Sequence, residues 1–83
     1  MSDNPLNLAQ YTTAQLNVIL GQVSAIERKI LILRFGLDVG GKPRTLETVG
    51  GMLNMTRGEV RRNEARALSV ISHHIASEGT TNE

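Results

Sequence analysis

The chain is 83 residues long, enough for one small domain with a modest core and too short to enclose a sizeable substrate cavity. It has no cysteine, so neither a disulfide framework nor a thiolate metal site can hold it together; its only aromatics are Tyr11 and Phe35, and so aliphatic a composition favours packed helices over a sheet. The formal charge is only +1, but all nine Lys and Arg residues fall between Arg28 and Arg66 against four acids, and this basic centre between acidic flanks points to nucleic acid.

The first helix follows a polar, aperiodic stretch containing Pro5, and residues 1–12 are therefore expected to form a flexible arm. Thr12 and Thr13 can cap a helix that carries Leu16, Ile19, Leu20 and Val23 at helical spacing, with Gly21 weakening its end. Ser24-Ala25-Ile26-Glu27 is a capping box, serine at the cap and glutamate three residues on. It opens a second helix with Ile26, Ile30 and Leu33 on one stripe and Leu31 and Phe35 beside it. Gly36 is placed to end this helix in a left-handed turn, before a loop from Asp38 to Arg44.

Thr45 caps a short third helix containing Leu46, Val49, Met52 and Leu53, and Asn54 can take the left-handed position that ends it. Thr56-Arg57-Gly58-Glu59 is a second capping box, opening a fourth helix that runs to about Ala76. The packed domain is thus expected over 13–76, with a flexible tail over 77–83. The predicted fold is all-α: four helices with a C-terminal helix-turn-helix and no wing. No apolar run is long enough to span a membrane and no signal peptide opens the chain, so a cytoplasmic protein is expected.

In a helix-turn-helix the second helix enters the major groove, with its N-terminal residues toward the base edges. On the fourth helix Val60, Ala67 and Ile71 share one face, with Asn63 at its edge. The opposite side presents Gly58, Arg61, Arg62, Ala65 and Ser69, with Arg57 and Arg66 flanking it. Arginines there can pair with guanine or clamp phosphate. Other chemistry is not expected. His73 and His74 are adjacent and point apart, so they do not make a metal pair. Ser24, Thr45 and Thr56 read as caps, not nucleophiles. Gly40-Gly41-Lys42 lacks the rest of a phosphate loop. With no acid–base pair in sight, neither an enzyme nor a cofactor is expected.

The segment Glu27-Arg28-Lys29-Ile30-Leu31-Ile32-Leu33-Arg34-Phe35-Gly36-Leu37-Asp38, then Pro43-Arg44-Thr45-Leu46-Glu47-Thr48-Val49-Gly50, then Thr56-Arg57 and Glu64-Ala65-Arg66-Ala67-Leu68 form an ordered set. Together they resemble region 4, the C-terminal domain of sigma-70-family factors, from about Leu16 to His73. The resemblance implies a domain that reads the promoter minus-35 element and grips the flap of the RNA polymerase beta subunit in an apolar groove. It carries the base- and phosphate-contacting arginines onto Arg57 and Arg61. Gly58, Arg62, Arg66, Arg44 and Thr45 complete the expected DNA-facing set. The groove positions fall on Leu37, Leu68 and Ile71, with Leu16, Leu20 and Leu33 as neighbours.

The departures are informative. After the cap this family usually reads Arg-Glu-Arg-Ile-Arg-Gln-Ile-Glu; here Gly58 replaces the glutamate that accepts from cytosine, Arg62 replaces the glutamine, and Asn63 replaces an apolar core residue. Usually basic positions read Ile26, Ile32, Ser69, Val70 and Ser72, of which Ile32 and Val70 are candidates for added apolar contact surface. The DNA face is therefore reduced while the groove positions stay apolar, and weak, salt-sensitive DNA binding is expected. Asn63 is expected either to bond a backbone group of the preceding helix or turn, or to lie at an interface with another chain. Eighty-three residues are expected to leave no room for the helical domain that binds the polymerase clamp. The implied role is a split sigma subunit, with a second protein supplying the missing domains, or a phage or accessory regulator. The alternatives are a protein-only adaptor or inhibitor that mimics region 4, and a dimeric helix-turn-helix regulator independent of polymerase.

Overall fold

A computed structural model describes Leu8 and residues 11–38 and 41–77. Four helices follow in order: α1 (Thr13–Leu20), α2 (Ala25–Phe35), α3 (Leu46–Leu53) and α4 (Arg57–Ser77), with no strand among the described residues. Each N-terminus is closed by the side chain the sequence puts there. Thr12 and Gln15 form a reciprocal capping box on α1, Ser24 and Glu27 on α2, and Thr56 and Glu59 on α4, while the Thr45 hydroxyl accepts from Thr48 N–H on α3. These bonds satisfy amide groups that the first turn of a helix leaves without partners.

The helix ends are equally local. Gly36 has φ 66° and closes α2 in a left-handed turn, and Leu37 N–H donates to Ile32 C=O. Asn54, with φ 58°, does the same for α3. α1 stops at Leu20, one turn short of the expected helix, and Arg28 Nε caps it by donating to Leu20 C=O. Val23 therefore lies beyond the helix, in the turn before Ser24, and is still buried.

The core is built from two clusters. Leu8, Ile19, Leu20, Val23, Leu31, Ala67 and Ile71 form the first; Ile30, Val49 and Val60 form the second, with Leu33, Leu46, Leu53 and Met55 packed against it. α2 and α4 contribute to both, so the long helix ties the helix-turn-helix to the N-terminal half. Leu8, within the stretch expected to form an arm over 1–12, is fully buried in the first cluster. The other residues up to 10, and the tail over 78–83, lie outside the described residues; α4 itself continues through Ser77.

Candidate nucleic-acid interface

The turn between α3 and α4 sets the geometry of the site. Asn54 reverses the chain and Met55 N–H donates to Gly50 C=O at 2.8 Å. The turn packs so closely that a methyl group on Gly50 would lie 2.6 Å from Met55 O. Glycine is required there by close backbone approach. Val60 then anchors the first turns of α4 against Val49 and Ile30.

With Val60 facing inward, the opposite face of α4 carries Gly58, Arg62, Ala65 and Ser69, and Arg57 and Arg61 stand on one flank. Arg57, Arg61 and Arg62 are exposed and make no hydrogen bond or ion pair among the described residues. The neighbouring acids are engaged elsewhere. Glu59 accepts from Thr56 N–H, and Glu64 is paired with Arg34. The guanidinium donors are therefore available to a phosphate or a base edge.

The other expected DNA-facing residues are placed differently. Arg44 forms a bidentate pair with Asp38, at 3.1 and 3.3 Å, and donates to Leu33 C=O. Beside it the Asp38 carboxyl is held below its ordinary pKa by that hydrogen bond. Arg44 thus holds the loop to α2, and a DNA contact from it requires this pair to open. The Thr45 hydroxyl caps α3 and also donates to Thr48 Oγ1. Arg66 points back toward α2, with Nη1 3.8 Å from Glu27 Oε2, although its side chain is 66% exposed.

The expected apolar contact set divides in the same way. Leu20 and Ile71 lie inside the first cluster; Ile71 has no exposed surface to offer a groove, and Leu20 is buried to all but a small edge. Leu33 packs on the second cluster. Leu16, Leu37 and Leu68 are half-buried around the first cluster and present an apolar rim. Ile32 joins them against the core, whereas Val70 is exposed. A separate apolar groove lies between the start of α1 and the end of α4, lined by Tyr11, Val18, Ile19 and Ile75 among others and by none of the six expected residues.

Two features were missed from the sequence. One is Leu8. The other is Arg34, whose Nε donates to Glu64 Oε1 at 2.9 Å while Nη1 donates to Arg44 C=O at 2.7 Å. The signal was present: Glu64 sits on the Val60–Ala67–Ile71 stripe, and a carboxylate on an apolar stripe calls for a cation. Asn63 does not bond the preceding helix or turn. It is half-buried, and its Nδ2 donates to Glu59 C=O within α4 at 2.8 Å, one turn back along the same helix.

Comparison with known proteins agrees with this architecture. The family model for sigma-70, region 4 matches residues 19–73, from the end of α1 through most of α4. RNA polymerase sigma factor SigA of Clostridium acetobutylicum is 49% identical over 59 residues, 71% of this chain and 15% of the relative. The SigA proteins of Nostoc sp. and of a Bacillus sp. are 43% and 44% identical over 70% and 71% of this chain, again over 15% of their own lengths. The chain thus spans about 15% of the length of these curated relatives. The matched span contains the capping boxes of α2 and α4, the left-handed Gly36 and Asn54, the Arg34–Glu64 pair and the whole helix-turn-helix, and on that ground the chain belongs to the sigma-70 region 4 family.

Proposed function

We propose that this chain is a sigma-like transcription factor that docks on bacterial RNA polymerase and contacts promoter DNA near the minus-35 element through the outer face of α4. The observation that carries the reading is the set of unpartnered arginines, Arg57, Arg61 and Arg62, on the first turns of the second helix of a helix-turn-helix. Polymerase is reached through its beta flap by the apolar rim of Leu16, Leu37 and Leu68. Leu20 and Ile71 support that rim from within, and Leu33 packs beside it on the second cluster. DNA binding by the domain alone is weak and falls with salt, because few phosphate contacts are available. Polymerase makes it effective by holding the domain next to the duplex.

In this role the chain works in the bacterial cytoplasm as a split sigma subunit or as a phage or accessory regulator, and a second protein supplies whatever sigma domains it lacks. The test is calorimetry with the isolated beta-flap domain. Leu37→Asp and Leu68→Asp are expected to weaken binding strongly, since each puts a charge into a desolvated contact. Circular dichroism confirms that the variants are folded. Unchanged affinity in both folded variants refutes the flap contact. Tight, salt-insensitive binding of the free protein to a minus-35 duplex refutes the division of labour between polymerase and DNA.

A further inference from the structure

We propose that Arg62, laid back over Gly58, is the base-reading residue of α4 and selects guanine in the major groove. The inference rests on the DNA-binding reading above and adds to it a particular residue and a particular base.

Three observations lead to it. At about 100° per residue, Arg62 lies roughly 200° around the helix from the buried Val60, and Gly58 about 160°, so the two share the face most remote from the core. A methyl group on Gly58 would lie 3.4 Å from Arg62 Nη1. Side chains in a helix lean toward its N-terminus, and here the lean brings the guanidinium level with the first turn of α4. In a helix-turn-helix that turn faces the base edges.

Nothing in the backbone explains the glycine at 58. It does not take a left-handed conformation, and no main-chain atom lies close to where its methyl group would be. Compare Gly50, where the turn backbone leaves no room. A methyl group there would make ordinary contact with the Arg62 guanidinium, whereas a longer side chain would compete for the place it occupies. No acid is paired with the guanidinium among the described residues: Glu59 accepts from Thr56 N–H and Glu64 is held by Arg34.

The chemistry then selects the base. A guanidinium offers only donors, so it matches the O6 and N7 acceptors of guanine with two parallel hydrogen bonds; adenine presents a donor at N6, and the pyrimidines offer no such pair. Arg57 and Arg61 lie about 60° and 100° from Val60, on one flank, where they suit the phosphate wall. Arg62 specifies and its two neighbours position.

The experiment enriches a duplex library with a randomised core on the full chain at low salt. The selected duplex and its single-base variants are then measured by fluorescence anisotropy. The wild type is expected to prefer guanine at one position by about tenfold. Arg62→Ala should lose that preference and leave the others, and Arg62→Gln should shift it toward adenine. Gly58→Glu should also abolish it, because a glutamate four residues before an arginine pairs with it along the helix. Arg57→Ala should lower affinity for every duplex alike and keep the guanine preference. A guanine preference that survives Arg62→Ala, or one that is lost in Arg57→Ala, overturns the proposal. Binding without any base preference overturns it too, but leaves the DNA-binding reading standing. No binding to any duplex at low salt removes that reading and the proposal with it.

Discussion

Adjacent glycines in α3 should respond to alanine in opposite directions. A methyl group on Gly50 would sit 2.6 Å from Met55 O, whereas one on Gly51 would meet nothing within 4 Å. Favourable carbon–oxygen contacts are about 3.3 Å or longer, so the Gly50 methyl overlaps the carbonyl by roughly 0.7 Å. That oxygen belongs to the main chain of a turn fixed by Asn54 and by the bond from Met55 N–H to Gly50 C=O, so it cannot rotate aside. Relief requires the turn to move away from α3, at a cost of about 1–3 kcal/mol. Both substitutions gain about 1 kcal/mol from replacing glycine inside a helix. Gly51→Ala should therefore stabilise by about 1 kcal/mol, and Gly50→Ala should destabilise by up to about 2 kcal/mol. For a domain of this size 1 kcal/mol moves Tm by about 4–8 °C, so thermal melts followed by circular dichroism resolve the difference easily. Because the same turn aims α4, Gly50→Ala should also weaken duplex binding at low salt, whereas Gly51→Ala should not. If the two variants shift Tm in the same direction, the close packing of turn on helix is wrong.

A double-mutant cycle on Arg34→Met and Glu64→Met should give a coupling of about 1–2 kcal/mol; it lies between the surface and buried regimes because the side chains are 28% and 12% exposed. Coupling indistinguishable from zero in urea titrations would mean that water screens the pair. Ile71→Asp should leave the chain unfolded, since Ile71 has no exposed surface, and a cooperative native-like melt of that variant would contradict its place in the core. Asn63→Ile should be neutral or stabilising by up to about 1 kcal/mol, because Glu59 C=O keeps its helical partner and a half-buried site gains an apolar side chain; a clear loss of Tm would show that the amide bond within α4 matters more than this. Asp38 is held below its ordinary pKa by Arg44, so its contribution is present above the ordinary carboxylate range and disappears as pH falls through the lowered value. The melting curves of wild type and Asp38→Asn should therefore differ at neutral pH and converge in acid; a gap that persists in strong acid would refute the linkage.

Several features of this fold follow from short stretches of sequence and were legible there. Ser24 with Glu27, Thr56 with Glu59, and Thr45 satisfy amide groups three residues away, and Gly36 and Asn54 adopt left-handed geometry where each helix must end. These are local bonds and local sterics, so residue type and spacing are sufficient to place them. The inward face of α4 was legible for the same reason, because Val60, Ala67 and Ile71 recur at the helical period.

What periodicity could not decide was how deeply each apolar residue lies and which polar groups meet across the chain. The resemblance puts Leu16, Leu20, Leu68 and Ile71 on one apolar groove, yet Leu20 and Ile71 are core and the other two are rim. A helix face has an inside direction, but burial depends on which neighbour covers it, and for this cluster one neighbour is Leu8, from a segment with no periodic signal at all. Arg34 and Glu64 are 30 residues apart, and Arg44 is taken by Asp38 and Leu33 C=O instead of standing free on the surface. Charge counts treat the arginines alike. Only the packing of α2 against α4, and of the loop against α2, decides that Arg34 and Arg44 hold the domain together while Arg57, Arg61 and Arg62 stand exposed and unpaired, because an ion pair forms only where the fold brings its two partners within reach.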